Sequence, residues 1–226
     1  MTMRFYPLFL DIRNKPCVII GGGKVAERKA AGLLKAGARV IVISPDITLQ
    51  LKRLSQTGKI RHIRRRYRKG DLKGKSLAIA ASGSREANRA VFEEAQKLKI
   101  PVNTADAPGL SSFIVPSIVD RGPLIVAIST AGLCPALSKK LRMELERKIG
   151  KEYASFAKIL GAVRTKLLKE RVNRDKKDRI IKALVSSDIP ALIKRGAVKK
   201  IEALVKKVSG STVFDFGIRL KNRKKE

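Results

Sequence analysis

The chain has 226 residues, 44% hydrophobic and 31% charged, a globular balance long enough to bury a substantial core in one or two domains. No apolar run approaches the roughly 20 residues of a membrane-spanning helix, and two cysteines with a single histidine exclude a His/Cys metal centre and argue against a structural disulfide. The net charge of +32 is spread along the chain, +18 in residues 1–150 and +14 in residues 151–226; it favours polyanions (nucleic acid, an anionic membrane, a multiply carboxylated small molecule) or else simply solvates the surface.

The N-terminal MTMRFYPLFLDIRNK has a short apolar patch but no small-residue cleavage site behind a long apolar core. It does not read as a signal peptide, and the expected location is the cytoplasm, with no membrane partner. From Pro16 onward short β-rich runs alternate with helical ones. CVII (17–20) reads as a strand, KVAERKAAGLLKAG (24–37) as a helix and RVIVIS (39–44) as a strand. A helix around 47–55, a strand near 60–65, a strand SLAIAA (76–81), a helix over 85–99 and a strand PVNTA (101–105) follow. This alternation predicts a parallel sheet with helices on both faces, a domain spanning about residues 1–110.

The pattern changes at SSFIVPSIVDRGPLIVAIST (111–130), two β-branched runs around a DRGP turn with no helix between them. These strands either extend the sheet or form a separate small sheet for dimerisation, and with a helix opening near Pro135 they make a segment 111–150. Residues 151–226 read as a small helical domain with turn signals at SSDIP and SGST, ending in a frayed basic tail, RLKNRKKE.

Gly21-Gly22-Gly23-Lys24-Val25-Ala26 fits G-x-G-x-x-G/A between a strand and a helix, which is the context that makes the sheet Rossmann-like. The first glycine permits a tight turn and the next ones let a pyrophosphate approach the backbone. The helix N-terminus supplies free N–H groups and partial positive charge, and Ala26 allows close helix–strand packing. The alternative is a turn with a purely structural role. An acid for the ribose 2′-OH belongs near Ser44, but the residues there are Ser44, Pro45 and Asp46. Since no arginine stands at that strand end for a 2′-phosphate, NAD is favoured over NADP.

Ligands of open α/β sheets bind outside the carboxyl ends of the strands, and VNTADAPGLSSF lies at such an end. Asp106 is either a turn former or, since the chain holds one histidine and few acids, the candidate that moves a proton beside a hydride transfer.

Two stretches, YPLFLDIRNKPCVIIGGGKVAERKAAGLLKAGARV and NTADAPGLSSFIVPSIVDRGPLIVAISTAGLCPALSKKLRMELE, resemble in order the dehydrogenase/ferrochelatase module of siroheme synthesis. The resemblance runs from about Tyr6 to Gly150 and is far more specific than the glycines alone. It implies NAD-dependent oxidation of precorrin-2 to sirohydrochlorin, with Fe²⁺ insertion to siroheme in some members, and a homodimer. It also implies that Asp106 handles protons and that Lys24, Val25, Pro45 and Asp46 contact the cofactor. The eight carboxylates of the substrate would give the basic surface a use. In the loop after the fourth strand the family commonly has a Thr-Asp-like pair, whereas this chain has SGSRE, leaving Ser82 as the candidate contact. A chain of this length is expected to lack the methyltransferase domain fused in some siroheme synthases and to receive precorrin-2 made elsewhere.

Ser129, Thr130 and Ser138 have no histidine base near them in sequence, so their hydroxyls either bind substrate carboxylates or cap the helix opening near Cys134. RHIRRRYRK (61–69) is a solvated face, a carboxylate-binding patch or a nucleic-acid patch, and His62 is assigned no chemistry. With aromatics at 4%, no stacking platform for single-stranded nucleic acid is visible. The rival to the enzyme is a non-catalytic NAD(H)-sensing module with a basic nucleic-acid-binding surface.

Overall fold

The structure is a computed structural model that describes residues 5–105 and 107–211. The described residues group into two compact units, one running to Val115 and including Ala131–Leu133, the other comprising Pro116–Thr130 and the chain from Cys134 onward. No helix among them is long and apolar enough to cross a membrane.

The first unit is built on five strands, β1 (Pro16–Ile20), β2 (Arg39–Ile43), β3 (Ile60–Ile63), β4 (Leu77–Ala80) and β5 (Val102–Thr104). They form one parallel sheet in the order β3-β2-β1-β4-β5. Helices α1 (Lys24–Lys35) and α2 (Leu49–Gln56) connect β1 to β2 and β2 to β3, and α3 (Arg85–Lys97) connects β4 to β5. The central strands are apolar at every position because both faces are covered. Cys17 and Ile19 of β1, Val40 and Val42 of β2, and Leu77 and Ile79 of β4 join Ala26, Ala30 and Leu33 of α1 in one core. The intervening Val18, Ile20, Ile43, Ala78 and Ala80 pack on Val91 and Ala95 of α3 in the other. Burial pushes the Cys17 thiol up to about 11.

The second face has one helix fewer than a regular α/β alternation would provide, because residues 64–76 return from β3 to β4 without forming one. Leu72 and Tyr67 fill the space instead. The buried Glu94 of α3 holds that segment in place: its carboxylate accepts from Gly70 N at 3.0 Å and Leu72 N at 3.2 Å, and from the Tyr67 hydroxyl. Arg65 closes the same segment through two hydrogen bonds to Asp71, at 2.7 and 2.6 Å, and Arg68 N adds a third at 2.8 Å. Burial and the Glu94 carboxylate raise the Tyr67 pKa, and the Arg65 guanidinium lowers that of Asp71.

In the second unit β6 (Ser117–Arg121) and β7 (Leu124–Ile128) pair antiparallel as a separate two-stranded sheet, with Gly122 at φ 68° in the turn. α4 (Pro135–Lys148) packs on it, and Arg121 caps the C-terminal end of α4 by donating to Ile149 O at 2.7 Å and Glu146 O at 3.0 Å. α5 (Glu152–Lys169), α6 (Arg174–Val185), α7 (Ile189–Arg195) and α8 (Val198–Ser209) enclose a core of Phe156, Ile159, Val163, Leu184, Ile189 and Ile201. The basic tail lies outside the described residues.

Two tests follow from the β3–β4 segment. Glu94→Ala leaves buried donors without an acceptor and should lower the unfolding free energy in urea by about 3 kcal/mol. The Asp71 pKa is lower folded than unfolded, so the stability it contributes is present above the unfolded value, about 3.9, and is lost as pH falls through the folded one. Asp71→Asn should therefore be less stable near neutrality and show a flatter decline of stability below about pH 4.

Candidate functional site at the carboxyl edge of the sheet

The order of the sheet reverses at β1, whose neighbours β2 and β4 lead into loops on opposite sides of the glycine turn. This is the switch point at which open α/β sheets bind ligands. Gly21 N donates to Ile43 O at 2.9 Å and Ala81 N to Ile20 O at 2.8 Å, so the ladder continues past the strand ends and ties the turn to both neighbours.

The three glycines do different things. Gly21 has φ 120°, and a Cβ there would lie 2.2 Å from Ala81 O. Gly22 lies against the other loop, where a Cβ would sit 1.9 Å from Asp46 O and 2.9 Å from Ser44 Oγ. At Gly23, the residue before α1, φ is −81° and a Cβ would meet nothing within 4 Å. The close approach expected of a pyrophosphate at the second glycine is thus taken by the protein's own backbone, and the third is the one facing open space. Beyond it lie the N–H groups of Lys24, Val25 and Ala26, which an α-helix leaves without intrahelical partners. Lys24 is exposed and Ala26 is buried against the sheet. Space and donors together suit a dinucleotide pyrophosphate.

Residues that the sequence did not single out hold the flanking loops. Thr48, the N-cap of α2, donates to Glu27 at 2.5 Å and accepts from Leu51 N at 3.3 Å, while its amide donates to Gly22 O at 3.0 Å. That hydroxyl first, and Lys24 second, lower the Glu27 pKa. Pro45 and Asp46 are exposed in the loop so held, and Ser44 is half-buried. His62 Nε2 donates to Ser44 O at 2.9 Å, giving the histidine a part in fixing the end of β2. On the other side the buried Asn88 of α3 grips Ser82 twice, accepting from its amide at 3.1 Å and donating to its carbonyl at 3.0 Å. The N-cap of α2 could be recognised from a threonine before a helix, but an inward-facing Asn88 leaves no sequence signal.

The loop after β5 doubles back on that edge strand. Thr104 Oγ1 donates to Leu110 O at 2.5 Å, Ser111 Oγ accepts from Thr104 N at 2.9 Å and Ser112 Oγ from Val102 N at 2.9 Å. Lys29 of α1 donates to Asn103 at 2.9 Å, and Asn103 to Phe113 O at 3.1 Å. Asp106 lies outside the described residues.

In the second unit Thr130 Oγ1 accepts from Cys134 N at 3.0 Å, and the buried Ser138 hydroxyl lies 3.3 Å from it. These contacts engage the Thr130 and Ser138 hydroxyls with each other and with the Cys134 amide just before α4. Ser129 is exposed. Cys134 is exposed and Cys17 buried, and neither forms a disulfide.

The glycines can be separated by experiment. Gly21→Ala and Gly22→Ala should each cost about 2–4 kcal/mol of stability, since backbone strain or overlap with neighbouring backbone must be relieved. Gly23→Ala should melt within about 1 °C of the parent, having ordinary φ and open space, yet lose about tenfold or more in NADH affinity by fluorescence titration if the pyrophosphate rests there.

A family described as NAD(P)-binding matches residues 8–117. The siroheme synthase of Methylobacillus flagellatus is 43% identical over 178 residues, 79% of this chain and 38% of that protein. That of Ruthia magnifica is 33% identical over 216 residues, 95% of this chain and 46% of the relative. The chain spans less than half the length of either. A solved structure titled SirC, precorrin-2 dehydrogenase, matches with a TM-score of 0.73 at 22% identity, covering 92% of this chain and 100% of that one, and so shares its fold. The glycine turn at the switch point of a 3-2-1-4-5 sheet and the sequence likenesses agree: the chain belongs to the family of the N-terminal, NAD(P)-binding module of siroheme synthases.

Proposed function

We propose that this chain oxidises precorrin-2 to sirohydrochlorin in the cytoplasm, with NAD⁺ as the oxidant. The observation that supports this most is the open third glycine at the N-terminus of α1, framed by two loops whose positions are set by Thr48 and Asn88. When bound, NAD⁺ supplies the hydride acceptor. Gly23, Lys24 and Val25 hold the pyrophosphate, Ser44, Pro45 and Asp46 flank the adenosine ribose, and Ser82 borders the opposite side. The macrocycle loses a hydride and a proton, and Asp106 takes the proton. A polycarboxylate substrate is drawn by the positive field, and among the three candidate hydroxyls Ser129 is the exposed one.

The working form in this reading is a homodimer. The β6–β7 sheet has only two strands, and Ile118 and Ile125 share an exposed face of it. α4 packs on the sheet, and a second copy would cover the face that carries the two isoleucines and pair its open edges.

The decisive assay mixes the purified chain anaerobically with enzymatically generated precorrin-2 and NAD⁺ and follows the absorbance change to sirohydrochlorin. Conversion should require NAD⁺, and Asp106→Asn should abolish it while NADH affinity stays within about twofold. Subsequent addition of Fe²⁺ tests chelation, which is accepted only if siroheme forms faster than without protein. No conversion by folded, NADH-binding protein would overturn the proposal.

A further inference from the structure

The sequence reading favours NAD because no arginine stands at the end of β2. The sheet changes that neighbourhood. β2 and β3 run parallel with Ile43 beside Ile63, and Ser44 N donates to Ile63 O at 3.2 Å. Arg64, the next residue after Ile63, therefore emerges beside Ser44, at the strand end where the adenosine ribose of a dinucleotide lies. Arg64 and Arg66 are exposed, while Arg65 between them is half-buried. Arg65 is committed to Asp71. The Arg64 and Arg66 guanidinium groups have no hydrogen bond or ion pair among the described residues.

The position that follows β2 thus lacks the carboxylate that would repel a 2′-phosphate, offers the hydroxyl of Ser44, and has two uncommitted guanidinium-bearing residues on the adjoining segment. Guanidinium forks match phosphate oxygens in both geometry and charge. Resting on the dinucleotide reading above, we infer that Arg64 and Arg66 form a subsite for the adenosine 2′-phosphate, so that the chain takes NADP(H) as well as NAD(H). The nearest acid in sequence, Asp46, lies two residues past Ser44 in the loop before α2 and is exposed.

The test titrates the full-length chain with NADH and with NADPH by fluorescence at low and at physiological salt, with 2′,5′-ADP as competitor. The parent should bind NADPH at least as tightly as NADH. Arg64→Ala/Arg66→Ala should weaken NADPH by about 10- to 100-fold while NADH changes by less than about twofold. Arg68→Ala/Lys69→Ala removes the same charge from the same segment and should weaken NADPH by less than about threefold at physiological salt. The inference is overturned if the two double variants lose NADPH affinity equally, since the general positive field would then account for binding. It is also overturned if the parent prefers NADH by tenfold or more and Asp46→Asn removes that preference. Failure to bind either nucleotide would instead sink the dinucleotide reading itself.

Discussion

Backbone touching backbone at Gly21 and Gly22 is the constraint on which the carboxyl edge of the sheet depends. β1 is the strand where the sheet order reverses, so the turn that leaves it must pass between the loops that follow β2 and β4. Both loops approach to within the space of a single Cβ, against Asp46 O on one side and Ala81 O on the other. That proximity lets Gly22 O accept from Thr48 N and Ile20 O from Ala81 N, so three loops set one another's positions. Gly23 is crowded by no neighbour. Rigid supports on both sides of an open residue are what an anion site needs, because donors fixed in advance need little ordering when the ligand arrives.

The same economy of space governs the core. Strands buried on both faces can be apolar throughout, and the division of Cys17 and Ile19 from Val18 and Ile20 between two cores follows from the two-residue period of a strand. The face lacking a second crossover helix is completed by irregular chain, whose amides would be stranded without an acceptor. Glu94 supplies it. A buried carboxylate is tolerated here because several donors converge on it.

Positive charge is abundant, yet its uses differ residue by residue. Arg65 shapes a loop through Asp71, Arg121 caps a helix, and Lys29 braces Asn103 beneath the loop that follows β5. The surplus that makes no such contact is what a polycarboxylate or a phosphate can meet. Net charge describes the attraction at long range; hydrogen-bond partners decide which residues are available at short range.

Local physics was legible in the residues alone. Alternating strand and helix patterns, the glycine run between a strand and a helix, and the two β-branched runs around Gly122 all depend on neighbours within a few positions, and each formed the element expected. Element ends moved by a few residues, as where the strand expected over 60–65 stops at Ile63. The motif-level likeness in GGGKVAERK and DAPGLSSF pointed to the family, and two of its features have local causes: Gly21 and Gly22 have no room for a side chain, and Ser111 and Ser112 accept hydrogen bonds from the backbone of β5. Tertiary structure alone decided which glycine is open, that His62 secures Ser44, that Asn88 and Glu94 face inward, and that Arg64 emerges beside Ser44. These facts join residues about 20 or more positions apart, or turn a polar side chain from solvent to core. Neither periodicity nor propensity carries that information, because both describe a segment and not what the folded sheet sets beside it.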